Sequence, residues 1–162
     1  MKNLYIIRHA KSDQSFFGND FERPLNERGK QDATLMAKRF LEKGIGIDAF
    51  ISSPAKRAKK TAGIFYSVFD KPKEEIIFIS ALYHATEEMF YEVISALPDT
   101  LRNVALFSHN PGITHFVNSL QTKSSIDNMP TCGIFAVETE IAHWKDIKKA
   151  NARFLFFDYP QK

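Results

Sequence analysis

Residues 4–12 read Leu4-Tyr5-Ile6-Ile7-Arg8-His9-Ala10-Lys11-Ser12. Four consecutive apolar side chains run directly into an Arg-His pair. A strand exposed on one face would alternate apolar and polar residues. An unbroken run fits a strand covered on both faces, as in a parallel sheet between helix layers. The same design recurs at Val104-Ala105-Leu106-Phe107, which runs into Ser108-His109-Asn110-Pro111-Gly112. Two histidines are thus delivered by the ends of two buried strands.

Between these strands, helical and strand patterns alternate. Leu25 to Lys43 is expected to be a helix, with Ala33, Met36, Ala37, Phe40 and Leu41 on its inner face and Gly44 as its stop. Ala49 to Ile51 forms the next strand. Ser53-Pro54 then opens a helix, with the serine as N-cap and the proline in the first helical position. Its inner face is Ala58, Ala62, Phe65 and Phe69. Ile76 to Ile79 is a third strand. Thr86 caps a helix with Glu87 and Glu88 in its first turn. Asn110-Pro111 opens the last helix, whose apolar face is Ile113, Phe116, Val117 and Leu120. Residues 121–128 are polar and read as a surface loop. Ile134 to Val137 is a strand, and Trp144 with Phe154 to Phe157 suggests an antiparallel hairpin at a sheet edge. The expected fold is α/β: a three-layer α/β/α sandwich, its sheet mainly parallel with an antiparallel edge.

Composition sets the bounds. A chain of 162 residues favours one domain over residues 1–162, and 44% apolar with 25% charged residues argues for a packed core over disorder. The net charge of +3 gives no reason to expect a nucleic-acid partner. One cysteine, Cys132, excludes an intrachain disulfide and reads as a small buried residue. The apolar run near the N-terminus is too short for a signal peptide, and no stretch approaches membrane-spanning length. We therefore expect a cytoplasmic protein without membrane association, with a monomer slightly favoured.

In open parallel sheets, ligands bind beyond the carboxyl ends of the strands. The polar clusters all follow strands: 8–12, 52–57, 82–85 and 108–112. A parallel sheet therefore collects them on one edge. Imidazole is a good nucleophile near neutral pH, and guanidinium suits phosphate oxygens. Arg57 sits at a helix start, where the dipole disfavours a cation and a bound anion would relieve it. Its neighbours Lys56, Lys59 and Lys60 read as a solvated basic face. His115 and His143 read as structural. His84 is open between a core residue, an acid/base group and a substrate contact. A metal site is the main rival, but Arg8 would repel a cation beside His9, and no spacing such as His-Glu-x-x-His occurs. Ser12 to Pro24 is the longest irregular stretch. It carries Phe16-Phe17, open to substrate access, packing or partner contact.

In these motifs the chain resembles the histidine phosphatase superfamily, the phosphoglycerate-mutase-like group, and within it the short SixA-type phosphohistidine phosphatases. Arg8 to Ser12 looks like the nucleophile motif, with alanine where many members have glycine. Arg23-Pro24-Leu25-Asn26-Glu27-Arg28-Gly29 looks like the helix-opening motif. Ser53-Pro54-Ala55-Lys56-Arg57-Ala58-Lys59-Lys60-Thr61 and Ser108 to Gly112 resemble two further motifs, and Met129-Pro130-Thr131 the late loop. Five motifs in order are a specific signal. The resemblance implies that His9 is the nucleophile, that Arg8, Arg57 and His109 hold the phosphoryl oxygens, and that His109 does so best as an imidazolium, coupled to His9 in titration. Ser12, Arg23, His84 and Asn110 are the expected substrate contacts. No metal or other cofactor is implied. Many members carry a glutamate proton donor after the third strand; here Ala81-Leu82-Tyr83-His84-Ala85 has none. His84, Glu87 and Glu88 are the candidates in its place, and the acid is unassigned. The expected function is a metal-independent phosphatase of protein phosphohistidine. The alternatives are a phosphatase of small phosphomonoesters, such as a sugar phosphate or nucleotide, and a phosphate-binding module without turnover.

Overall fold

A computed structural model describes residues 1–70, 75–120 and 122–162. Its strands are β1 (Lys2–Arg8), β2 (Ala49–Ser52), β3 (Ile77–Phe78), β4 (Asn103–Ser108), β5 (Ile134–Thr139) and β6 (Ala152–Asp158). The helices are α1 (Glu27–Glu42), α2 (Lys56–Val68), α3 (Glu87–Ser95) and α4 (Gly112–Ser119), with 3-10 turns at Asp20–Glu22, Ser80–Leu82 and Trp144–Lys149. The sheet runs β3-β2-β4-β1-β5-β6. β1, β4, β2 and β3 are parallel, and β5 and β6 add an antiparallel edge. This is the mixed α/β sandwich read from the sequence.

The two-sided burial of β1 is literal. Leu4 and Ile6 join a core under α3 and α4, while Tyr5 and Ile7 join a second core under α1 and α2. β4 splits its residues likewise: Val104 and Leu106 on one side, Ala105 and Phe107 on the other. Successive strand residues point to opposite faces, so each residue of the run has a core of its own.

The boundaries differ in informative ways. α1 starts at Glu27 rather than Leu25, because Asn26 is its N-cap; the Asn26 side chain accepts the Gly29 N–H at 2.7 Å. Leu41, expected on the inner face, is 42% exposed. α2 begins after Ala55, so Ser53 is not its N-cap and Pro54 not its first helical residue. The Ser53 hydroxyl instead accepts the Ala55 N–H and bonds His109. The third strand shortens to two exposed residues at the sheet edge. Trp144 lies in a 3-10 turn, not in the hairpin; its ring is fully buried and its indole N–H donates to the Leu101 carbonyl at 2.9 Å. Thr86 caps α3 as expected, accepting the Met89 N–H. Residues 122–128 form neither helix nor strand; Gln121 lies outside the described residues.

Two glycines lock helices against the loops that follow the strands. A Cβ on Gly29 would stand 2.0 Å from the Lys11 carbonyl oxygen, and one on Gly112 would stand 1.9 Å from that of Ala85. Neither position tolerates a side chain unless backbone moves.

Candidate active site

The register of the parallel strands builds the site. Arg8 pairs with Ser108 at the ends of β1 and β4, so the next residues, His9 and His109, emerge side by side. Their ring centroids are 5.1 Å apart. The His9 N–H donates to the Ser108 carbonyl at 3.1 Å, and the Ala10 N–H to the Thr61 hydroxyl at 3.0 Å. Thr61 in turn donates to the Arg57 carbonyl at 2.8 Å, which ties the first turn of α2 to the loop after β1. On the other side, the Cys132 N–H reaches both the Arg8 and His9 carbonyls at 3.1 Å. Cys132 holds φ +59, a left-handed conformation uncommon outside glycine. Its thiol is fully buried, and burial pushes its pKa up, so it stays protonated and unreactive.

These contacts surround a cavity of about 450 Å³ lined by Arg8, His9, Ser12, Arg23, Arg57, His109 and Asn110 among others. Seven of the eight residues singled out in the sequence therefore share one cavity. The eighth, His84, lines an adjoining pocket of about 290 Å³ that shares His109 and Asn110 with it. His115 lines that same pocket, while the His143 ring bonds Asp99.

The hydrogen-bond pattern fixes the His9 tautomer. Its Nδ1 lies 2.7 Å from the Ala10 carbonyl, which can only accept. Nδ1 therefore carries the proton, and Nε2 keeps its lone pair. Burial first, then the charges of Arg8, Arg57 and Arg23, push the His9 pKa down to about 3 against the opposing Ala10 bond. Burial, then His9 and Arg57, push His109 down to about 2. Among these protein groups alone His109 is neutral. Its Nε2 is 2.7 Å from the Ser53 hydroxyl.

Three buried nitrogens in this cavity wall have no hydrogen-bond partner: Arg8 Nε, Arg57 Nε and His109 Nδ1. Buried polar groups are rarely left so, and a cluster of them on one cavity calls for an acceptor. The lining adds Lys11 to Arg8, Arg23 and Arg57 and includes no carboxylate. Among the described residues, no group of three or more His, Cys, Asp or Glu side chains is disposed to hold a metal ion. A cleft lined by four cationic side chains and two histidines suits a tetrahedral anion.

The sequence reading missed Asp20. Its carboxylate accepts the Tyr83 hydroxyl at 2.7 Å and Arg57 Nη2 at 3.1 Å, and pairs with Arg23 Nη2 at 3.0 Å. Its carbonyl accepts Arg57 Nη1 at 2.8 Å. The Tyr83 bond foremost, with the two arginines, holds the carboxyl well below the usual range. Asp20 is thus a fixed anion that orients Arg57 and Arg23 from the loop between β1 and α1. Arg23 also bonds the Ser12 hydroxyl. The only local signal was the Asp20/Arg23 spacing; the contacts to Arg57 and Tyr83 span 37 and 63 residues.

Comparison with known proteins agrees with this geometry. Residues 4–82 match the model of the histidine phosphatase superfamily, branch 1. The uncharacterized protein Rv1276c of Mycobacterium tuberculosis is 27% identical over 96% of this chain and 100% of its own length. The protein histidine phosphatase SixA, solved with tungstate, superposes with a TM-score of 0.82 at 21% identity, covering 98% of this chain and 97% of that one. A mycobacterial glucosyl-3-phosphoglycerate phosphatase solved with VO3 gives a TM-score of 0.68 at 14% identity, covering 96% and 98%. Residues 4–82 thus carry the match to the histidine phosphatase superfamily, and the whole chain shares the fold of these phosphatases.

Proposed function

We propose that this protein is a metal-independent phosphatase that hydrolyses protein phosphohistidine through a phosphorylated His9. The observation that carries the reading is the state of His9: a buried imidazole whose Nδ1–H is tied to Ala10, leaving an unprotonated Nε2 amid the unpartnered nitrogens of Arg8, Arg57 and His109. Nε2 attacks phosphorus, the P–Nε2 bond forms, and the bond to the leaving group breaks. Water then cleaves the phosphoimidazole and regenerates His9. Arg8 and Arg57 stabilise the charge on the equatorial oxygens. His109 adds a donor at Nδ1 when the Ser53 hydroxyl donates to its Nε2. A phosphate dianion lowers the cost of protonating His109, so the imidazolium forms on binding rather than before it.

The choice of substrate rests on what the cleft wall lacks. An alkoxide leaving group needs a proton donor, and no carboxylate lines the cleft itself; Asp20, bound to Arg57 and Arg23, is held ionised, and Glu87 lines only the adjoining pocket. A phosphoimidazole protonated on its distal nitrogen departs as neutral imidazole, with no proton delivered at the breaking bond. That favours phosphohistidine over a phosphomonoester. Small phosphomonoesters are the second reading, favoured by the modest cleft volume and by the adjoining pocket that holds His84. A binding module without turnover is disfavoured by the unprotonated Nε2.

The test is a substrate panel run on wild type and His9→Ala with a chelator present, with alkaline quench to preserve phosphohistidine. Wild type should release phosphate from a phosphohistidine peptide and carry label on His9, and His9→Ala should do neither. Equal rates in the two proteins would overturn the reading. Exclusive turnover of one small ester would favour the second.

A further inference from the structure

The lysines that look like a solvated face in the sequence have a more specific setting in three dimensions. α1 and α2 flank an open groove of about 800 Å³. Lys30 lines it from α1, and Lys56, Lys59 and Lys60 line it from α2. Pro24, Leu25, Ile64 and Val68 supply apolar surface between them. No Asp or Glu lines the groove, and none of the four lysines is in a salt bridge among the described residues. Three of these cations crowd the first turns of a helix that has no acidic residue in its first turn. There the helix dipole and mutual repulsion both disfavour them.

A second observation is independent of charge. Gly63 lies in the middle of α2 and also lines the groove. A Cβ added there would meet nothing within 4 Å, so packing inside this chain does not require a glycine. Glycine weakens a helix relative to alanine. Its bare backbone does permit close approach by another chain.

The groove adjoins the cleft. Ser12 in the cleft wall pairs with Leu25 in the groove, and Lys56 of the groove precedes Arg57 of the cleft. The adjoining pocket differs from the groove: Glu87, in the first turn of α3, lines it, and no lysine does.

We propose that the groove between α1 and α2 docks an acidic segment of a phosphoprotein while the cleft holds that protein's phosphohistidine; this rests on the phosphohistidine reading above. Apolar side chains of the segment lie on Leu25, Ile64 and Val68, its carboxylates meet the lysines, and its backbone crosses Gly63. Docking of this kind tightens encounter with the substrate and leaves the chemical step untouched.

The experiment compares two phosphohistidine peptides, one flanked by aspartates and one by asparagines, with phosphoramidate as a small control. The full chain is assayed as wild type, as Lys30→Ser/Lys59→Ser/Lys60→Ser and as Gly63→Leu. The aspartate peptide should show the lower KM with wild type, and the lysine variant should raise that KM roughly tenfold. Gly63→Leu should raise it too, with an unchanged or higher Tm. Turnover of phosphoramidate should stay at the wild-type level in both variants. If both peptides are hydrolysed with equal KM by all three proteins, the docking proposal is overturned and the phosphohistidine reading stands. If neither peptide is hydrolysed while a phosphomonoester is, that reading fails and takes docking with it. If an oligonucleotide competes while the change from aspartate to asparagine has no effect, the groove binds nucleic acid and the proposal is overturned.

Discussion

Acidification should destabilise this protein through its two cleft histidines. Both imidazoles are buried, with pKa values pushed down to about 3 for His9 and about 2 for His109. In the unfolded chain each titrates near the ordinary value of about 6.5. Between these limits the unfolded state binds more protons than the folded one, so stability falls as pH drops below about 6.5. Going from pH 7 to pH 5, each histidine should cost about 2 kcal/mol by this linkage. For a domain of this size that is a shift of several degrees in Tm per histidine, on the order of 2–4 °C for each kcal/mol. The assay is calorimetry of wild type, His9→Asn and His109→Asn at both pH values. Each variant should lose about 2 kcal/mol of the acid-induced drop, because asparagine does not titrate. Carboxylates elsewhere contribute equally to all three proteins and cancel in the differences. A variant as acid-sensitive as wild type would mean that its histidine titrates normally in the folded protein. For His9, that would refute the argument that burial and three guanidiniums keep Nε2 unprotonated.

Two substitutions test the supporting structure. Asp20→Asn keeps the shape of the clasp on Arg57, Arg23 and Tyr83 but removes its charge; kcat/KM should fall about tenfold, equivalent to about 1.4 kcal/mol. Because the Asp20 side chain is 51% exposed, stability should change by less than about 1 kcal/mol, which thermal melting checks. Gly29→Ala places a Cβ where the Lys11 carbonyl stands and should cost about 1–3 kcal/mol in denaturant unfolding, with activity lost as the loop carrying His9 shifts.

The sequence shows the frame of this molecule because the frame rests on local pattern. An unbroken apolar run fits a strand with a core on each side, and Leu4 to Ile7 follows that pattern residue by residue. Once the strands are parallel, their polar ends must meet, and Arg8, His9, Arg57 and His109 do. What the sequence hides is long-range. Ser53 looks like a cap by its position before Pro54, yet its hydroxyl also serves His109, 56 residues away. Asp20 sits in a loop without periodicity, and its role exists only because Tyr83 and Arg57 fold against it. Leu41 and Trp144 fail in opposite directions. Leu41 is partly exposed beside the fully buried Phe40, whereas Trp144 is buried within a 3-10 turn that has no strong signature of its own. The lysines of α2 were legible as a charge run, but only the partnering face of α1 turns them into a groove.

The composition of the cleft wall has a consequence for regulation. Four cationic side chains, Arg8, Lys11, Arg23 and Arg57, line the cleft, and no Asp or Glu lines it to repel an anion. Such a lining complements the charge of a phosphoryl group whatever carries it. On the proposed reaction the end product, orthophosphate, carries the same tetrahedral oxygens, so added orthophosphate should compete with substrate at this cleft without any separate inhibitory site.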